Sequence, residues 1–203
     1  MARREQLDKV QDALHQGDVN AAIAELEHHL AAQPDDVDAR LRLAQLFMKR
    51  GKPDDAWDWL VSAASGFIAK GFLDKAIAIL HRAFELDPSR PEPALLAAGL
   101  QVKRNHAGDA RKTLASARAH YHRASDRQKA LLVAQKRVEL VPDVDAWLDV
   151  ARLFVAAGNT RQAVLILDEQ SARTEVKRER RRYARARVWL HPTPRSLWRW
   201  LRS

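Results

Sequence analysis

The chain has 203 residues, 46% of them apolar and 30% charged, the balance of a folded domain with a well-solvated surface. Seven glycines are too few for a turn-rich sheet protein, and the absence of cysteine removes disulfide frameworks, thiolate metal sites and cysteine nucleophiles. The net charge of +9 sits at one end: from Arg173 to Ser203, eleven basic residues meet two acids, leaving twenty-four of each sign in residues 1–172.

The first residues, MARREQLDKVQDAL, carry basic side chains with no apolar run behind them, which argues against a secretory signal. No stretch of eighteen apolar residues follows anywhere. With no cysteine, these features predict a cytoplasmic protein, and the excess of Arg over Lys suggests a GC-rich bacterial gene.

Along the chain, one arrangement of residues returns. A weak first copy places Gly17 before Ala22, Leu26 and Pro34. In the second, Leu43, Ala44 and Phe47 precede Gly51, then come Ala56, Leu60 and Ala63. In the third, Leu60, Ala63, Ala64 and Phe67 precede Gly71, then Ala76, Leu80, Ala83 and Pro88. Two faint copies hold Ala110, Leu114 and Ala117, then Ala130, Ala134 and Pro142. The clearest spans residues 144–170: Trp147, Val150, Ala151 and Phe154 fall at helical spacing, Gly158 ends that helix, and Asn159–Thr160 starts one with Ala163 and Leu167 inside. Each copy reads as a helical hairpin.

This pattern resembles the tetratricopeptide repeat family over about residues 3–173. The resemblance implies an all-α fold, a right-handed solenoid of antiparallel helix hairpins, with domain limits at 1–173 for the array and 174–203 for a basic extension. One spacing departs from it. Gly51 and Gly71 are twenty residues apart, not thirty-four, so residues 53–70 must serve two hairpins as one long helix, with a bend near Ser65–Gly66 or a meeting of subdomains near 88–93 among the expectations.

The resemblance further implies a protein-interaction scaffold that holds a partner's peptide or amphipathic helix on a concave face lined by first helices. Some family members grip a terminal carboxylate with a lysine–asparagine clamp. The matching positions here, among them Leu7, Gln11, Leu41, Gln45, Val61 and Ser65, lack those residues. Groove candidates are instead Gln11, Leu41, Gln45, Met48 and Arg152. No cofactor, metal site or catalytic group is expected: Glu25 and His29 share a helix face but read better as a solvated pair than as ligands, and no phosphate loop or nucleophile elbow occurs.

The basic extension holds two pieces. Residues 174–190 predict a helix capped by Thr174, with Val176, Tyr183, Ala184, Val188 and Trp189 on one side, as a helix closing the end of the array. After a Pro-rich turn, HPTPRSLWRWLRS places Arg195 and Arg199 at i, i+4 and sets Trp198 and Trp200 among leucines. These four residues are candidates for a second attachment to a protein partner. An anionic membrane surface ranks next and nucleic acid third, as the alternative in which the array is only a support. Oligomeric state is not legible.

Overall fold

The computed structural model describes residues 2–190, with side chains from Asp8 onward. Eleven α-helices and one 3-10 turn occupy that span, and no strand occurs among the described residues. In order they are α1 (Ala2–His15), α2 (Val19–Ala32), α3 (Val37–Lys49), α4 (Pro53–Ala69), α5 (Leu73–Leu86), α6 (Glu92–Lys103) and α7 (Ala107–His120). Then come the 3-10 turn Ala124–Asp126, α8 (Arg127–Leu140), α9 (Val144–Ala156), α10 (Thr160–Arg173) and α11 (Lys177–Leu190). Sequential neighbours pack on each other from α1 to α5 and from α7 to α11, and α11 also packs on α9. The fold is an all-α helical-repeat solenoid.

Each hairpin turn has a local cause. At the end of α3, Lys52 N–H donates to Phe47 O at 2.9 Å and Gly51 N–H to Met48 O at 3.1 Å, the paired bonds that satisfy the orphan carbonyls of a helix end. That motif needs a left-handed residue, and Gly51 provides it at φ +74°. The same pair of bonds closes α1, α4, α6 and α9. After α6 the left-handed residue is Asn105 at φ +62°, where no glycine flags the turn. Helix starts repeat as well: Asp18, Asp36 and Asp143 accept from the N–H three residues on, at Ala21, Ala39 and Ala146.

The twenty-residue interval between Gly51 and Gly71 proves regular, and the repeating unit is three helices rather than two. Gly17 and Gly71 are 54 residues apart, as are Gly51 and Asn105, and Pro34, Pro88 and Pro142 follow at the same step. The buried alanines keep it: Ala22, Ala76 and Ala130 in α2, α5 and α8, and Ala56, Ala110 and Ala163 in α4, α7 and α10, the last one residue short. Leu60, Leu114 and Leu167 are fully buried at matching positions of those last three helices. The chain is therefore α1–α2, equivalent to α4–α5, followed by α3–α5, α6–α8 and α9–α11. In α3–α5 and α9–α11 the middle helix packs on both of its neighbours and so belongs to two hairpins. This is why α4 runs unbroken from Pro53 to Ala69.

The contacts group into two compact units, one ending at Leu100 and one beginning at Gln101. The division thus falls inside α6, later than the Pro-rich link at 88–93. In the first unit α1, α2 and α3 enclose Val10, Ile23, Leu26, Leu43 and Phe47, and α4 and α5 bury Leu60, Ala64, Phe67, Leu80 and Ala83. Gly66 lies where α4 passes close to the start of α3: a Cβ there would stand 2.6 Å from Val37 Cγ2. In the second unit, Val144, Leu148, Ala151, Ala163 and Leu167 of α9 and α10 form a cluster that Tyr183 of α11 completes.

Candidate functional site

Helix α11 is built from the most charged stretch of the described chain, yet it packs. Tyr183 is 4% exposed, and Ala186 and Leu190 lean on the same cluster. Burial pushes the Tyr183 phenol above its ordinary pKa, and the nearby Glu179, Asp143 and Asp145 carboxylates add to the rise against the opposing Arg182. The helix starts at Lys177, not at Thr174. Thr174 is occupied elsewhere: its N–H donates to Gln170 O to finish α10, and its hydroxyl accepts from Val176 N–H and donates to Glu179 Oε2 at 2.8 Å. Ion pairs hold α11 at two points. Arg187 Nε lies 2.7 Å from Asp168 Oδ1 of α10, and Arg182 pairs with Asp145 of α9.

Beside the buried face, α11 presents a second one. Arg182, Arg185, Ala186, Trp189 and Leu190 recur at i, i+3, i+4, i+7 and i+8, and Leu148 and Arg152 of α9 face them one turn apart. Together they line an open groove of about 300 Å³ with a mostly apolar floor. Trp189 is 82% exposed while Tyr183 is buried, so the two do not share one buried side of α11 as the sequence suggests. Arg152 and Arg185 are exposed on opposite walls and enter no ion pair among the described residues, while Arg182 is partly neutralised by Asp145. The arrangement offers an apolar seat between two positive charges. It carries no nucleophile, and no group of three or more His, Asp or Glu among the described residues could hold a metal ion.

The predicted site residues distribute as follows. Arg152 lies in the groove. Leu41, Gln45 and Met48 follow one another along one side of α3, where Gln45 is exposed, Met48 is 37% exposed and Leu41 packs against the core beside it. Arg82 Nη2 donates to Met48 Sδ at 3.5 Å. Gln11 is exposed on α1. Arg195, Trp198, Arg199 and Trp200 lie outside the described residues. Leu148, Arg182, Arg185, Ala186, Trp189 and Leu190 escaped the sequence reading; the spacing of the last five is the signal that would have found them.

His29 is not a solvated partner of Glu25. It is 1% exposed, and its Nε2 lies 2.9 Å from Asp36 Oδ2, the carboxylate that also caps α3, so its role is to fasten the link between α2 and α3. No helix among the described residues is long and apolar enough to cross a membrane.

The sequence matches the tetratricopeptide repeat family over residues 13–63 and 67–135, more than half of the chain, and the two matches begin one 54-residue step apart. Among solved structures, that of MamA is 18% identical, covering 85% of this chain and 95% of that one at a TM-score of 0.29. A TPR repeats protein from Bacteroides fragilis is 12% identical, covering 98% and 96% at 0.36. A thermophilic TPR protein of Thermus thermophilus is 17% identical, covering 90% and 97% at 0.27. No curated protein gives a match. The repeat match and the residues that carry it, Gly51, Ala56 and Leu60 with their equivalents, place this chain in the tetratricopeptide repeat family, whose helical hairpins serve in general as protein-interaction scaffolds.

Proposed function

We propose that this protein is a cytoplasmic scaffold or adaptor that holds a peptide or amphipathic helix of a partner protein on its repeats, with the Arg- and Trp-rich segment through residue 203 as a second point of attachment. The observation that carries this reading is the groove between α9 and α11. An indole left 82% exposed beside Arg152 and Arg185, which enter no ion pair among the described residues, is the residue pairing that dominates protein–protein binding energy, and the groove beside it fits a side chain rather than a reaction centre. Along α3, Gln45 and Met48 add exposed positions of the kind the family uses for ligands.

The test is a nuclease-treated pull-down from the host's lysate, comparing the full chain with one ending at Leu190. A cut at Arg173 is unsuitable, since it removes Tyr183 from the core. The same partner retained by both versions at high salt is the expected result. Capture that vanishes with residues 191–203, or that leaves only lipid or nucleic acid at low salt, transfers the function to the tail and removes the scaffold reading.

A further inference from the structure

We infer that the groove between α9 and α11 takes an acidic amphipathic segment of a partner protein: one apolar anchor on the groove floor, with carboxylates on both sides of it. This rests on the scaffold reading and gives it a partner chemistry. The floor is Leu148, Ala186 and Leu190, with Trp189 standing at its edge. Arg152 rises from α9 on one wall and Arg185 from α11 on the other, so a carboxylate on either side of the anchor meets a guanidinium.

Neither arginine has a counter-ion among the described residues, whereas Arg118, Arg137 and Arg187 in the same unit are all matched to aspartates. Arg161 and Arg178 are likewise exposed with no ion pair among the described residues, so what marks the groove is that two such charges flank one apolar floor. Residues 101–203 carry 23 basic and 10 acidic side chains, a field that steers acidic ligands inward and repels basic ones. The chain's own HPTPRSLWRWLRS has three arginines and no acid, which disfavours it as the occupant. A bilayer surface is flat and reaches Trp189 but not a floor recessed between two helices. A nucleic acid finds no hydrogen-bonding group on that floor with which to read a base.

The probe is a short fluorescent helical peptide with leucines at i and i+4 flanked by glutamates, titrated into the full-length protein by anisotropy. Its counterpart has lysine at every glutamate. Arg152→Glu with Arg185→Glu should weaken binding about tenfold or more, and Trp189→Ala several-fold. Arg195→Glu with Arg199→Glu makes the same change in net charge on the tail and should leave binding within about twofold. All the groove substitutions are at exposed positions, and unchanged circular dichroism and melting confirm the fold. Arg152→Gln with Arg185→Gln serves as the milder pair.

An equal loss from the tail reversal overturns the site, because the attraction is then general. Equal binding of the lysine peptide overturns the charge selectivity. Stronger binding to phosphatidylglycerol vesicles, sensitive to the same groove substitutions, replaces the peptide with a membrane. Concentration-dependent self-association abolished by Arg152→Glu with Arg185→Glu replaces it with a second copy. If the lysate partner is still held by the Arg152→Glu, Arg185→Glu protein, the scaffold function stands and this inference alone fails.

Discussion

Helices α3–α5 and α6–α8 are copies of one three-helix unit, and the same positions in them are filled by different chemistry. The inner hinge positions barely change: Ala56 and Ala110, Leu60 and Leu114, and Ala63 and Ala117 are all fully buried. Around them the first copy holds large or small apolar residues, and the second holds smaller or polar ones. Leu43 is matched by Ala97, Leu80 by Ala134, and Phe47 by the buried Gln101, which accepts from the Thr113 hydroxyl at 3.0 Å. Ala64 is matched by Arg118 and Ala83 by Arg137. Both arginines find aspartates near or on the next triplet: Arg118 Nε and Nη2 reach the two oxygens of Asp149 at 2.8 and 3.3 Å, and Arg137 Nη2 lies 3.1 Å from Asp143. The geometry of a repeat is therefore set by a few small residues and leucines that let helices approach, while its edges accept either apolar packing or charge pairing.

The largest expected effect is common to both copies and breaks the comparison if it is unequal. Leu60→Ala and Leu114→Ala each remove a side chain with 0% exposure and should each cost about 3 kcal/mol. Native-state hydrogen exchange, which reads local stability, should show each loss concentrated in the substituted copy. A much smaller loss at Leu114 would mean that the second copy collapses around the cavity, and that its packing is looser than the matching burial implies.

How much of this was legible in the sequence follows the same division. Where apolar residues hold the edges, as in α3–α5 with Phe47, Phe67 and Leu80, the helical period stands out and the hairpins can be placed by eye. In α6–α8 the period fades because Ala97 and Ala134 are small, Arg118 and Arg137 are charged, and Asn105 replaces the glycine at the turn. The 54-residue step was hidden for that reason: its clearest evidence is the match between a strong copy and a faint one. The groove was legible only at Arg152. On α11 two faces interleave, Tyr183 and Arg187 inward and Arg182, Arg185 and Trp189 toward the groove, and the density of arginine flattens both periods.

Intermediate in size is the effect of Asp143, the centre of the ionic side of the comparison. One carboxylate caps α9 through Ala146 N–H at 2.7 Å and also pairs with Arg111 at 3.0 Å and Arg137 at 3.1 Å. Asp143→Ala should cost about 2 kcal/mol, because the cap is lost and the half-buried Arg137 is stranded. Asp143→Asn keeps the cap and should cost about 1 kcal/mol. The asparagine penalty should shrink between about 0.05 M and 1 M NaCl, since screening weakens what the wild type has to lose. Leu60→Ala should show no such salt response. Equal salt responses would show that the arginine–aspartate pairs contribute by packing rather than by charge.

The smallest effect is a dependence on pH confined to the second unit. The Tyr183 phenol has its pKa raised above 10.0 by burial first, and then by Glu179 and by Asp143 and Asp145. Folding therefore favours the neutral phenol. The stability it contributes is fully present below the unfolded value near 10.0 and is lost as pH rises through the folded one, because the unfolded chain gains by ionising first. Tyr183→Phe removes the titrating group while keeping the ring against Leu148 and Leu167. Urea midpoints of wild type and variant should run parallel up to about pH 9 and then diverge, the wild type falling faster toward about pH 11. Lysines and other alkaline groups are shared by the two proteins and cancel in the difference. Parallel curves over the whole range would mean that the phenol is solvated, and that α11 does not close over the α9–α10 cluster in the way that shapes the groove on its other face.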